Sequence, residues 1–261
     1  MPKLHVRDVN LYYEIAGRGE SILFIHGLGS SSRDWELQVD FFSKQYQVVA
    51  FDVRGHGQSD KPPGPYGVPL FAADAAELMK SLDVAPAHVV GISMGGMMAF
   101  QLAVSAPELV KSLVIVNSTP ELVLRTWKAR LNGLQRLLIT RLMGMRKMGE
   151  VLGGRLFPKD GQEETRQMFV ERWAENDKRA YYDAMRGLVG WSVAGRLDDI
   201  RCPTLVIAAD EDYTPVSLKQ EYVGKMAQAE LVVIADSRHG TPVDQPERFN
   251  QAVLAFLSRQ S

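Results

Sequence analysis

Six short apolar runs, separated by segments with helical spacing, constrain the fold of this chain more than any other feature. The runs are "SILFIHG" (21–27), "QVVAFD" (47–52), "HVVGIS" (88–93), "KSLVIVNS" (111–118), "TLVIAAD" (204–210) and "ELVVIAD" (230–236). Nearly continuous apolar runs of this length suit strands buried on both faces, as in a parallel sheet covered by helices. Period-2 alternation over 4–17 predicts an N-terminal hairpin. We therefore predict an α/β fold with a mostly parallel, doubly wound sheet.

The alternation of strands and helices stops between residues 121 and 195. This segment has helical spacing, holds three of the four tryptophans, and carries 14 Lys and Arg against 9 Asp and Glu. It contains no internal repeat and no low-complexity linker. We interpret it as a helical lid inserted after the sixth strand and packed over one end of the sheet. The predicted organisation is a core in two parts, 1–120 and 196–261, with the lid, 121–195, between them.

The stretch "GISMGG" (91–96) places Ser93 directly after a predicted strand and before a predicted helix. A G-x-S-x-G pattern in a strand–turn–helix context is what a nucleophilic serine requires. Glycines are expected around such a serine because side chains would collide with the strand and helix packed alongside. The pattern also arises by chance, so its interpretation depends on finding a base and an acid elsewhere in the chain.

A histidine and two aspartates follow the last two predicted strands. His239 lies before the final predicted helix, and Asp210 and Asp212 follow the preceding strand. A serine hydroxyl needs an adjacent base, and a carboxylate must orient and stabilise that base. Because ligands bind at the carboxyl ends of parallel strands, we expect these side chains to lie near Ser93. Either aspartate is a candidate for the acid.

Four motifs together resemble those of the α/β-hydrolase fold family, over nearly the full chain. They are "FIHGLG" (24–29), "DVRGHGQSD" (52–60), "GISMGG", and "TLVIAADEDYTPV" (204–216) with "SRHGTPVDQPERF" (237–249). The resemblance implies a catalytic triad of Ser93, Asp212 and His239. It favours Asp212 over Asp210, because Ala209 matches the small residue that stands three positions before the acid in the family.

The same resemblance implies an oxyanion hole formed by the backbone N–H groups of Leu28 and Met94. It also implies that His26 shapes the oxyanion loop. The lid supplies the candidate residues of an apolar substrate pocket, which are Trp127, Met143, Trp173 and Trp191. Lid residues of these types also pack helix against helix, which is the alternative interpretation.

A serine nucleophile predicts acyl transfer. The favoured function is a carboxylic-ester hydrolase, acting on an ester or a lactone through an acyl-enzyme intermediate. A carbon–carbon bond hydrolase and a cofactor-free perhydrolase of the same fold are alternatives. A slow-turnover ligand-binding receptor is an alternative of another class, and an acyltransferase is a third.

Composition excludes several other classes of function. The net charge is −1, which gives no reason to expect nucleic-acid binding. No apolar run is long enough to span a bilayer, and the N-terminus lacks the apolar core of a signal peptide. Cys202 is the single cysteine, which favours a cytoplasmic location. No cofactor motif and no metal-site spacing is present, so the expected partner is a small-molecule ester or lactone.

Overall fold

The computed structural model describes residues 2–125 and 127–260, with no description of the side chains at 128, 129, 132, 133, 136 and 137. Its centre is a sheet of eight strands. The strands are β1 (Lys3–Val6), β2 (Val9–Ala16), β3 (Ser21–Ile25), β4 (Gln47–Phe51), β5 (Ala87–Ile92), β6 (Val110–Val116), β7 (Thr204–Ala209) and β8 (Ala229–Ile234). The spatial order is β1-β2-β4-β3-β5-β6-β7-β8. Two pairs of these strands are antiparallel, β1 with β2 and β2 with β4, and the other five pairs are parallel. The mostly parallel sheet and the N-terminal hairpin are therefore confirmed.

Ten α-helices are present in the described part of the chain. They are α1 (Glu36–Phe42), α2 (Val68–Ser81), α3 (Met94–Ser105), α4 (Trp127–Leu142), α5 (Met145–Leu156), α6 (Glu163–Ala174), α7 (Lys178–Leu188), α8 (Val216–Val223), α9 (Thr241–Asp244) and α10 (Pro246–Leu257). None of these helices combines the length and the apolar character needed to cross a bilayer.

Alternate residues of each central strand enter two separate apolar cores. On β3, Ile22 and Phe24 pack with α1 and α10, whereas Leu23 and Ile25 pack with α2 and α3. All four side chains are fully buried, and each such burial contributes about 1.5–3 kcal/mol of stability. Burial on both faces explains why the sequence shows continuous apolar runs instead of alternation. The two cores hold the carboxyl ends of the strands in fixed positions.

The helical insertion after the sixth strand is also confirmed, since α4 to α7 lie between β6 and β7. A short clasp joins the two ends of the insertion. Glu121 and Ser192 form an antiparallel bridge, and the Leu122 and Gly190 amides donate to the carbonyls of Trp191 and Leu122, each at 2.8 Å. We propose that the lid spans residues 121–195.

Polar contacts tie the lid to the core at several points around the end of the sheet. The Asn176 amide group donates to the Gly29 carbonyl at 2.8 Å, and Arg172 donates to the Arg33 carbonyl at 2.7 Å. Lys159 donates to the Asp236 carbonyl at 2.5 Å. The insertion therefore packs against the carboxyl ends of the strands, with a cavity between the two.

Candidate active site

Ser93 occupies a sharp turn between β5 and α3. Its backbone has φ 55° and ψ −116°, a conformation that costs a non-glycine residue about 1–3 kcal/mol. The turn is held by two hydrogen bonds, from the Ser93 amide to the Val116 carbonyl (3.0 Å) and from the Ser118 hydroxyl to the Ser93 carbonyl (2.6 Å). The surrounding structure therefore holds the serine in a strained conformation at the end of the strand.

The glycines around Ser93 are required by the close approach of neighbouring backbone. A Cβ atom on Gly91 would lie 2.2 Å from the Gly95 carbonyl oxygen, and one on Gly95 would lie 2.1 Å from the Ile25 carbonyl oxygen. A Cβ atom on Gly96 would meet the Ser118 side chain at 2.5 Å. The expected physical role of these glycines is confirmed.

His239 and Asp212 lie in contact. His239 follows β8, Asp212 follows β7, and His239 Nδ1 is 2.8 Å from Asp212 Oδ1. The Asp212 side chain is fully buried, and that of His239 is 13 % exposed. Asp210 instead accepts the backbone amides of Asp236 and Ser237, both at 3.1 Å. Of the two candidate acids, the structure places Asp212 against the histidine.

Asp212 is held as a carboxylate by its neighbours. Burial raises the pKa of this carboxyl, but hydrogen bonds from His239, Lys219 and Thr214 outweigh burial and lower the pKa to about 2. An ionised carboxylate only accepts hydrogen bonds. Nδ1 of His239 must therefore carry the hydrogen, which leaves Nε2 as the basic nitrogen of the neutral ring.

Tyr213 contacts the basic nitrogen of His239. The Tyr213 hydroxyl lies 2.7 Å from Nε2, and the two ring planes are tilted by 30° with their centroids 4.2 Å apart. Within the described residues, no hydrogen bond joins Ser93 to His239. The Tyr213 hydroxyl therefore occupies the side of Nε2 at which another hydroxyl group would have to bind. Sequence reasoning missed Tyr213, although its place directly after the acid was an available signal.

Asn117 joins the end of β6 to the end of β7 and to the segment that carries His239. Its side chain donates to the Thr241 hydroxyl (2.8 Å) and to the His239 carbonyl (3.0 Å), and accepts the Ala209 amide (2.8 Å). Asn117 itself has φ 44° directly after β6. This residue fixes the histidine segment against the end of β7. A polar residue at the end of an apolar run was its only sequence signal.

The two amides expected to form the oxyanion hole lie beside Ser93. Met94 begins α3, so its N–H has no acceptor within the helix. A Cβ atom on Gly27, which precedes Leu28, would lie 3.5 Å from the Ser93 Cβ. Across residues 2–125 and 127–260, neither the Leu28 nor the Met94 amide donates to another protein group. Both donors are available to a bound oxygen.

His26 supports the loop that carries Leu28. Its ring bridges the Gly27 carbonyl (2.7 Å from Nδ1) and the Val53 amide (2.9 Å from Nε2). Burial lowers the pKa of His26 to about 4, so the ring is neutral at physiological pH. This position agrees with a loop-shaping role.

A cavity of about 850 Å³ lies between the lid and the strand ends, and Ser93, His239, Met143 and Trp173 all line it. The other lining residues include apolar side chains of the insertion, such as Leu152 and Phe169, and the charged ones include Arg155, Arg172, Arg238, Asp34 and Glu211. Sequence reasoning did not single out Arg155 or Arg238, because a basic residue on a helix or loop gives no periodic signal.

Two of the predicted pocket residues are corrected by the structure. Trp191 packs in the core and donates from Nε1 to Gln101 Oε1 at 2.8 Å, so it is not among the residues that line the cavity. Trp127 is 78 % exposed at the start of α4 and does not line the cavity either. Both errors arise because tertiary packing, which the sequence does not show, decides which side chains of the insertion face the cavity.

Comparisons with known proteins find similarity over almost the whole chain. A model of the alpha/beta hydrolase family matches residues 22–252. An (E)-2-((N-methylformamido)methylene)succinate hydrolase of Acinetobacter baylyi is 31% identical over 261 residues, covering 94% of this chain and 93% of the relative. The 3-oxoadipate enol-lactonase 2 of that organism is 27% identical, covering 98% and 96%. The solved enol-lactonase of Burkholderia xenovorans LB400 has a TM-score of 0.90 at 26% identity, covering 98% and 100%.

Proposed function

Because the chain belongs to the alpha/beta hydrolase family, we propose that it is a serine hydrolase that cleaves a carboxylic ester or lactone. Ser93 is the proposed nucleophile, His239 the base and Asp212 the acid. The observation that carries the proposal is the placement of Ser93 and His239 on one cavity while His239 Nδ1 contacts Asp212 at 2.8 Å. The single free cysteine, Cys202, supports the accompanying proposal of a cytoplasmic location.

The proposed reaction begins when a substrate carbonyl enters the cavity and Tyr213 leaves Nε2 of His239. Nε2 takes the Ser93 proton as the hydroxyl oxygen attacks the carbonyl carbon, and the Leu28 and Met94 amides stabilise the negative oxygen. The imidazolium then protonates the leaving alcohol oxygen as the C–O bond breaks, which yields an acyl-enzyme. In a lactone the leaving hydroxyl remains attached to the acyl group.

Water completes the proposed cycle. His239 takes a proton from the water as its oxygen attacks the acyl carbon, and the proton then returns to Ser93 as the carboxylic acid leaves. Asp212 remains ionised throughout and stabilises the imidazolium. No residue beyond Ser93, His239, Asp212 and the two amides is needed for this sequence.

We further infer that the substrate carries a carboxylate. The names of two relatives specify 3-oxoadipate and a substituted succinate, which are both dicarboxylates. Arg172 and Arg238 line the cavity but pair with Glu36 (2.7 Å) and Glu211 (2.8 Å). Arg155 also lines the cavity, and no described residue supplies an acidic partner to it. A guanidinium in this position suits a substrate carboxylate.

The first test measures hydrolysis of p-nitrophenyl esters with acyl chains from two to twelve carbons, together with a carboxylate-bearing enol-lactone. Ser93→Ala should abolish turnover and labelling by a fluorophosphonate probe. Ser105→Ala is the matched control, since its hydroxyl bonds only the Gln101 carbonyl at the exposed end of the same helix. Labelling of the parent without turnover would favour the slow-turnover receptor. Equal labelling of the parent and Ser93→Ala would refute the proposal.

A second test separates the two candidate acids. Asp212→Asn should lower kcat by about 10⁴-fold, because the wrong imidazole tautomer is then favoured. Asp210→Asn should have a far smaller effect, since the Asp210 carboxylate accepts the backbone amides of Asp236 and Ser237 and does not contact His239 in the described part of the chain. Circular dichroism confirms that each variant is folded. A larger loss in Asp210→Asn than in Asp212→Asn would contradict the assignment.

A further inference from the structure

A buried lysine lies against the carboxylate of the proposed triad. Lys219 is on α8, and both its side chain and that of Asp212 are fully buried. The ammonium nitrogen is 2.7 Å from Asp212 Oδ2, 2.5 Å from the Thr214 carbonyl oxygen and 2.6 Å from the Thr214 hydroxyl. These three acceptors match the three N–H donors of an ammonium group. The lysine is therefore fully hydrogen-bonded without water.

The two oxygens of Asp212 have different partners. Oδ2 contacts Lys219 and the Thr214 hydroxyl, and Oδ1 contacts His239 Nδ1 at 2.8 Å. Rotation of the carboxylate away from His239 would break the contact with Lys219 in a buried place, where an unpaired charge is costly. Lys219 thus fixes which oxygen faces the histidine.

Among the lysines and arginines that the structure describes, Lys219 alone contacts Asp212. The other titratable or charged groups around the pair are phenols, or charges that already have partners. They are Tyr213, Tyr222, the Glu211–Arg238 ion pair at 2.8 Å, the Lys159–Asp236 ion pair at 2.7 Å, Asp210, which accepts two backbone amides, and Asp244, which accepts the Arg238 amide. Tyr222 is buried and donates to the Ser118 carbonyl at 3.2 Å.

We infer that Lys219 is a positioning residue of the proposed triad: it holds Asp212 Oδ1 toward His239 and offsets the charge of the carboxylate. As a result, the imidazole of His239 releases its proton at a lower pH than it would beside an unpaired carboxylate. This inference rests on the proposed function, since it assigns a role to the acid of that site.

The expected effect of removing the cation has a definite sign. A carboxylate stabilises the imidazolium, and a cation on that carboxylate opposes this stabilisation. Lys219→Met removes the cation and keeps the unbranched apolar stem, so the imidazolium becomes more stable. His239 must be neutral to accept the Ser93 proton. The acid limb of the kcat/KM profile should therefore move to higher pH, by about one pH unit for a charge acting through an intervening group.

The test compares pH profiles of kcat/KM for the parent, Lys219→Met and Lys225→Met. Lys225 follows the same helix, but its ion pair with Glu221 (2.7 Å) is exposed, so its removal should leave the acid limb unchanged. An acid limb of Lys219→Met that coincides with that of the parent overturns the inference. If Lys219→Met fails to fold, Lys219→Gln removes the charge while keeping a donor, and the same outcomes apply.

A measurement without turnover separates this inference from the proposed function. The imidazole resonances of His239 are titrated by NMR in the Ser93→Ala background, with and without Lys219→Met. A raised His239 pKa in the double variant supports the inference, even if the parent hydrolyses none of the esters and the proposed function fails. An unmoved pKa in an active enzyme overturns the inference and leaves the proposed function intact.

Discussion

Replacement of Gly95 by alanine tests whether close packing of backbone fixes the position of Ser93. Gly95 is the second residue of α3, where this helix approaches the end of β3. A Cβ atom there would lie 2.1 Å from the Ile25 carbonyl oxygen and 2.8 Å from that of His26. Ordinary contact begins near 3.4 Å, so α3 and β3 must separate by about 1.3 Å.

The magnitude follows from what must move. Overpacking in a core typically costs about 1–3 kcal/mol. Both clashing atoms belong to backbone next to a central strand, so we expect the upper end, about 3 kcal/mol of unfolding free energy. A displacement of about 1 Å at the nucleophile lowers turnover by about 100-fold. Gly95→Ala should therefore reduce both stability and kcat.

Gly154→Ala is the matched control. Gly154 lies within α5, and a Cβ atom there would meet nothing within 4 Å. Alanine in a helix interior is favoured over glycine by about 0.5–1 kcal/mol. The same substitution should thus stabilise the protein at one position and destabilise it at the other. Urea unfolding followed by circular dichroism measures both changes, and ester hydrolysis measures kcat. A loss below 1 kcal/mol in Gly95→Ala would refute the packing explanation.

Three further changes test the site and its surroundings. Tyr213→Phe removes the hydroxyl that occupies Nε2 of His239, through a hydrogen bond that contributes about 1 kcal/mol. The kcat/KM value should therefore rise about fivefold, and a fall in kcat/KM would contradict this role. Arg155→Gln should raise KM for a carboxylate-bearing lactone about tenfold and leave a neutral ester unaffected, while Lys147→Gln on the same helix should change neither. For His26, the folded-state pKa of about 4 lies below the usual 6.5, so the unfolded chain binds the proton first. Neutral His26 therefore contributes about 3 kcal/mol to the free energy of unfolding above pH 6.5, and this contribution is lost as the pH falls towards 4. The free energy of unfolding of His26→Asn should depend less on pH over that range.

Much of the fold and the centre of the site were predictable from sequence, because both depend on local patterns. Buried parallel strands produce continuous apolar runs, and the turn at Ser93 requires glycine on both sides. The order of the strands brings His239 and Asp212 to the same end of the sheet as Ser93. Asp212 and Asp210 were separated only by resemblance to a family, and the structure shows which of them contacts the histidine.

The pocket and the supporting residues were not predictable in the same way. Trp191 and Trp173 are both tryptophans of the insertion, but of these two only Trp173 lines the cavity, because Trp191 follows α7 and packs in the core of the sheet. Lys219 carries a charge on a short helix, and such residues are nearly always exposed. Its burial depends on its contacts with Asp212 and Thr214, which the turn between β7 and α8 brings against it. The spacing of charged residues along the chain does not reveal that this turn is buried.

The backbone hydrogen bonds of Leu122, Gly190 and Val193 bring the two ends of the insertion together. The chain leaves the core and returns to it at almost the same point, through the bridge of Glu121 with Ser192. The span between these residues can therefore change in length while the pairing of β6 with β7 stays the same, and each doubling of loop length costs only about 0.6 kcal/mol. Insertions exchanged between Glu121 and Ser192 would change the wall of the cavity that they line and leave the proposed catalytic groups, which lie on the core, in place. The insertion that lines the cavity and the core that carries the proposed catalytic groups can therefore be changed separately, by evolution or by engineering.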